Sequence, residues 1–109
     1  FGEVSGKFGQ KVSLDLSRYD AYGLRLFNKS QDDWFQVNVY IRTGAGNDCY
    51  ESAWILLRPG QSVYAFLDLA NVGNLNDVRE IGFGVSCRIG QGRYLADHID
   101  IGVRGRGCP

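Results

Sequence analysis

Residues 34–42 read Trp34-Phe35-Gln36-Val37-Asn38-Val39-Tyr40-Ile41-Arg42. Phe35, Val37, Val39 and Ile41 alternate with Gln36, Asn38, Tyr40 and Arg42, so an extended chain sends the two sets to opposite faces. If the aliphatic set enters a core, two amides, a phenol and a guanidinium emerge together on the other side. These groups offer donors and acceptors of fixed geometry. Such a row suits a hydroxyl-rich ligand: a pyranose ring stacks its C–H face on Tyr or Trp and pairs its hydroxyls with polar side chains. The rigid fork of Arg42 also fits a sulfate or carboxylate substituent. Ser86 and Arg88 alternate in the same way on the Gly-rich segment around Gly82 and Gly84, where the glycines leave room for close approach. Ser52 and Trp54, with Trp34 beside Asp32-Asp33, complete the set of candidate contacts.

Catalytic chemistry is poorly served. His98 is the sole histidine and stands in no Ser or Cys nucleophile motif. Asp97 and Asp100 fall on opposite faces of one predicted strand, whereas hydrolysis of a glycosidic bond needs two carboxylates flanking the substrate. Phosphate-loop, dinucleotide and nucleophile-elbow patterns are absent in context. Cys49, Cys87 and Cys108 have no zinc-like spacing. One disulfide or none is compatible with the odd count, Cys49–Cys87 being a better pair than Cys49–Cys108. Twelve basic and twelve acidic residues give a formal net charge of zero, which argues against nucleic acid as a partner. No apolar run approaches the roughly 20 residues that cross a bilayer, and no signal-like segment opens the chain, which reads as an excised or mature domain.

The elements that must position these residues are short strands. Hydrophobic residues make up 44% of the 109-residue chain, with 15 glycines and 14 aromatics, and no stretch has sustained helical periodicity. Alternating runs occupy residues 11–16, 22–30, 34–42, 52–57, 61–69, 81–89 and 94–103, with a weaker one at 3–8. Arg58-Pro59-Gly60 turns the chain, and residues 71–80 read as a loop. Runs recurring at about 8–12 residues imply an all-β fold, an antiparallel β-sandwich of jelly-roll type with about eight strands in two sheets. Strands two, four, five and seven then share one sheet, whose outer face carries Lys11, Ser13 and Asp15 beside Gln36, Asn38, Tyr40, Arg42, Ser52, Trp54, Gly82, Gly84, Ser86 and Arg88. Residues 1–104 form one domain, and 105–109 read as a tail or linker stub.

The chain also resembles a known group. Residues 19–28 followed by Val37-Asn38-Val39-Tyr40, then Trp54-Ile55-Leu56-Leu57-Arg58-Pro59-Gly60, Leu75-Asn76-Asp77-Val78-Arg79-Glu80-Ile81-Gly82-Phe83 and Ile99-Asp100-Ile101 resemble successive steps of the β-jelly-roll carbohydrate-binding modules attached to polysaccharide-degrading enzymes. The resemblance implies a secreted, non-catalytic and monomeric module. It would bind a polysaccharide in a cleft on one sheet and target an attached glycoside hydrolase or lyase to it. Arg42 and Arg88 favour a charged or sulfated algal polysaccharide over neutral β-glucan or xylan. The resemblance further implies a structural Ca²⁺ held by Glu3 and Asp100, although calcium needs about six oxygen ligands and the second acid of the closing strand is missing. The alternative is a protein-interaction or adhesion sandwich with no glycan site, in keeping with the rule that fold does not dictate function.

Overall fold

The computed structural model describes residues 2–3, 6–29, 31–32, 34–86, 88–89, 92–93, 95–96 and 99–105, with side-chain surroundings within 7–29, 31–32 and 34–86. Among them run twelve strands: β1 (Gly2–Glu3), β2 (Gly6–Leu14), β3 (Ala21–Asn28), β4 (Phe35–Thr43), β5 (Asp48–Glu51), β6 (Ile55–Leu57), β7 (Ser62–Asp68), β8 (Val78–Ser86), β9 (Arg88–Ile89), β10 (Gly92–Arg93), β11 (Leu95–Ala96) and β12 (Ile99–Gly105). Every pairing is antiparallel. One sheet has the order β12-β3-β7; the larger has the order β2-β8-β4-β5, with β6 also on β4, and β1-β11 and β9-β10 are short ribbons. The expected antiparallel β-sandwich is therefore the observed fold, and the chain passes between the two sheets as it proceeds.

Alternation decides which side faces inward. Phe35, Val37, Val39 and Ile41 of β4 are fully buried, with Val85 of β8 and Leu57 of β6. They meet Tyr22, Leu24 and Leu26 of β3 and Ala65 and Leu67 of β7 across the gap, forming one apolar core. Charged side chains stay out of that layer among the described residues, and the one amide that enters from β3, Asn28, donates its Nδ2 to Leu57 O, since burial without partners is costly.

Several expectations need correction. The runs at 3–8 and 11–16 are largely one strand, β2, which Gly9 crosses without a break. A register irregularity between Lys11 and Leu14 then leaves Leu14 41% exposed instead of inward and takes Ser13 and Asp15 out of the outer-face rows. Residues 52–57 are not one strand. Ser52 continues the β4 ladder, its N–H donating to Val39 O at 2.9 Å and its Oγ accepting from Val39 N–H at 3.0 Å. Ala53 and Trp54 then leave the sheet before β6 resumes the pairing. Residues 44–47 form a turn absent from the sequence reading, with Gly44 and Asn47 both in the left-handed region, and this turn returns the chain as β5. The Pro59-Gly60 turn forms as expected, with Gly60 at φ 71° and Gln61 N–H donating to Arg58 O at 3.0 Å.

Gly82 is the tightest position of the larger sheet. A Cβ there would collide with Phe8 O, lie 2.7 Å from Gly9 Cα and lie 2.9 Å from Tyr40 Cε1. Backbone cannot yield as a side-chain tip can. Gly82→Ala is therefore expected to lower the melting midpoint by roughly 10 °C, from about 2 kcal/mol of overpacking in a domain of this size. Gly46→Ala, whose new carbon meets nothing nearer than 3.4 Å, should melt within a few degrees of wild type in the same circular dichroism experiment.

Candidate functional site

The register of the larger sheet arranges its outer face in rows. Lys7, Gly84 and Asn38 form one, and Gly9, Gly82, Tyr40 and Glu51 the next. Lys11, Glu80, Arg42 and Cys49 form a third, with Ser86 opposite Gln36 at the other end. Gln36, Asn38, Tyr40 and Arg42 thus emerge on the outer face, as the alternation predicts.

Tyr40 nevertheless differs from the stacking platform expected of it. Its side chain lies across β8 toward β2, and a Cβ on Gly9 would collide with its phenol oxygen. The Lys7 ammonium sits 5.1 Å above the ring centroid and the Arg42 guanidinium 5.8 Å from it. Covered in this way, Tyr40 is 1% exposed and offers no ring face to a ligand. Its hydroxyl donates to Glu80 Oε2. Burial, and then the bond to ionised Glu80 and its charge, push the phenol far above its ordinary range.

Two carboxylates anchor the cations above Tyr40. Glu80 takes Lys11 Nζ at 2.8 Å and Arg42 Nε at 3.8 Å. Glu51 takes Lys7 Nζ at 3.3 Å and accepts from Asn38 Nδ2 at 3.1 Å. Lys7 Nζ also lies 3.6 Å from the Sγ of Cys49, an exposed free thiol that joins neither disulfide considered above. The bond from Lys11, then that from Tyr40, holds Glu80 below the usual carboxylate range, and the bond from Asn38, then Lys7, does the same for Glu51. Neither glutamate stood out in the sequence, since Glu80 closes the run 71–80 that reads as a loop but in fact already belongs to β8 from Val78 on, and Glu51 belongs to the unforeseen β5. Only the cross-strand register brings them to the site.

Trp54 leaves the sheet just after Ser52 and is 49% exposed. Its indole edge stands over Gly84, where an added Cβ would lie 3.2 Å from Cη2. Asn38, in contrast, is buried, and its Oδ1 has no hydrogen-bond partner. Trp34 is half-buried at the start of β4, with the Arg58 guanidinium 5.9 Å from its ring. That places it beyond Gln36, apart from the charged rows. Arg88 lies in β9, and Glu3 and Asp100 in β1 and β12, but the side chains of all three are outside the described residues, as are Cys87, Asp97, His98 and Cys108. Among the described residues no cluster of three His, Cys, Asp or Glu side chains is placed to hold a metal.

An exposed indole beside fixed carboxylates, ammonium groups and a guanidinium is a surface for stacking and multiple hydrogen bonds. Residues 5–93 match the family model described as "Mannanase, galactose-binding domain-like". The chain belongs to this family. Its members are non-catalytic, carbohydrate-binding-like ancillary domains of glycoside hydrolases, which agrees with the polar outer face derived from alternation. No curated protein matches the chain.

The paired glutamates set a pH dependence. Their pKa values are lowered in the folded state, so the stability they add is present above the ordinary value of 4.5 and is lost as pH falls through the lower folded values. The melting midpoint should fall on acidification from pH 6 to pH 3. Glu80→Gln should melt lower than wild type at pH 6 and show a shallower acid slope, as followed by scanning calorimetry.

Proposed function

We propose that the outer face of the larger sheet binds a neutral polysaccharide of the β-mannan class and thereby holds an attached extracellular glycoside hydrolase near its substrate. Trp54 is the stacking platform. Glu51 and Glu80 accept from sugar hydroxyls, while Lys7, Arg42 and Lys11 donate to them. Gln36 and Ser86 extend the same polar face along the chain direction. Tethering raises the effective concentration of the catalytic partner even when each contact is weak.

The observation that carries this reading is the half-exposed Trp54 indole beside charged groups that already have partners. A hydroxyl both donates and accepts, so it bridges a cation and its carboxylate from above, accepting from one and donating to the other. The word mannanase in the family description supports the β-mannan class. The pairing of Arg42 with Glu80 moves the preference from sulfated chains, inferred from the arginines alone, to neutral ones.

A second surface bears on the alternative of a protein-interaction sandwich. Tyr64 and Phe66 are each about two-fifths exposed on the outer face of the smaller sheet, their rings stacked with centroids 5.8 Å apart. Phe66 lies over Gly23 of β3. Affinity gel electrophoresis on mannan, galactomannan, xylan and a sulfated galactan separates the two faces. Wild type is expected to be retarded by the two mannans, and Trp54→Ala to lose most of that retardation. The double variant Tyr64→Ala/Phe66→Ala should keep it. Free migration of wild type on every glycan would remove the glycan reading.

A further inference from the structure

We propose that Asn38 selects a sugar carrying an axial hydroxyl, and that Trp54 is the cover that turns aside to admit it. The proposal rests on the reading of this sheet face as a glycan site.

The argument starts from one atom. Asn38 is 1% exposed, its Nδ2 donating to Glu51 Oε1 at 3.1 Å and to Ser52 O at 3.4 Å. Its Oδ1 has no partner, and among the described residues it is the one buried side-chain nitrogen or oxygen so placed. Folding gains nothing by leaving an amide oxygen sealed from water and unpaired. Such a group therefore points to a partner that the free protein does not contain.

The surroundings show where that partner enters. Oδ1 lies beside Gly84, and a Cβ on that residue would collide with it. Oδ1 fills the space that a side chain at Gly84 would take, with the Cη2 edge of Trp54 against the same spot. Trp54 sits outside any strand with half its surface in solvent, so rotation of its side chain uncovers Oδ1 while breaking few contacts.

The depth of Oδ1 beneath the exposed Lys7 and Glu51 tips sets the stereochemistry. A pyranose lying along the sheet face points its equatorial hydroxyls outward around the ring, at the level of the Glu51, Lys7 and Arg42 tips. An axial hydroxyl points along the sheet normal and descends to the level of Asn38, where its O–H donates to Oδ1. Each unit of a 1,4-β-mannan has this hydroxyl at C2. In a 1,4-β-glucan it is equatorial, and a galactose side group has its axial hydroxyl at C4.

Isothermal titration calorimetry with mannohexaose, cellohexaose and a galactose-substituted manno-oligosaccharide tests the proposal. Wild type is expected to bind mannohexaose about tenfold more tightly than cellohexaose, as fits one neutral hydrogen bond with its acceptor otherwise unpaired. Asn38→Leu, close in shape and apolar, should weaken mannohexaose about tenfold more than cellohexaose and bring the ratio near one. Tight binding of unsubstituted mannohexaose assigns the hydroxyl to C2, and tight binding of only the galactose-substituted ligand assigns it to C4. Should Asn38→Leu fail to fold, the wild-type ratio decides alone. Equal wild-type affinities for all three ligands, or a ratio unchanged in folded Asn38→Leu, would overturn the role of Asn38. If Trp54→Ala still abolishes binding in that case, the sheet-face reading stands and only the selectivity argument fails. Absence of binding to any ligand overturns both.

Discussion

The outer face of the larger sheet depends on two glycines facing each other across adjacent strands. Gly9 of β2 pairs with Gly82 of β8, and together they leave a flat strip of backbone on which the Tyr40 ring lies. Glycine in a strand interior costs roughly 0.5–1 kcal/mol relative to alanine. What the strip makes possible offsets that cost. The Tyr40 hydroxyl reaches Glu80, and a hydrogen bond to a charged group contributes about 1.5–3 kcal/mol. The ring also gives Lys7 and Arg42 a surface to rest on, with each cation–π contact worth about 0.5–1 kcal/mol at an exposed site. A side chain at either glycine would lift the ring, release both cations and separate Tyr40 from its carboxylate.

The same arrangement would prepare the face for the proposed ligand. Long Lys, Arg and Glu side chains lose on the order of 1–2 kcal/mol of rotamer entropy when they are fixed. In this sheet Lys7, Arg42, Glu51 and Glu80 are already held against Tyr40 and one another before any ligand arrives. Less freedom is then lost on binding, the general benefit of a preorganised site. Tyr40 thus serves the site from beneath: buried itself, it fixes the groups above it.

The strand alternation in residues 35–42 was enough to place Gln36, Asn38, Tyr40 and Arg42 outward and the four apolar residues in the core, because period-two patterning is local. The division of the main strands between two sheets was likewise legible from their order. The burial of Tyr40 was not. It depends on Gly9 and Gly82 meeting across a register set by pairings far apart in sequence, and no single segment encodes that meeting. Gly9, between Phe8 and Gln10, falls in the gap between two alternating runs that are in fact one continuous strand. Glu51 and Glu80 lacked any signal because a carboxylate beside a loop is ordinarily solvated. Trp54 was noticed as a residue but placed on a strand; the Ser52 hydroxyl, by accepting the Val39 N–H at 3.0 Å, lets the chain leave the sheet there. Side chain–backbone substitution of this kind competes with ladder formation and is hard to read from residue type alone.

Charge shows most clearly how partners alter a reading. Counted along the sequence, Arg42 and Arg88 look like a site for sulfate. In the fold, Arg42 and Lys11 share Glu80, and Lys7 holds Glu51. An anion approaching these cations meets the two carboxylates as well, and must either displace them or accept their repulsion. Displacing Glu80 would also leave the buried Tyr40 hydroxyl without its acceptor. A neutral hydroxyl faces neither obstacle, since it donates to the carboxylate and accepts from the cation while the network stays intact. The geometry that keeps Tyr40 satisfied is therefore the same geometry that supports the proposed preference for uncharged sugars.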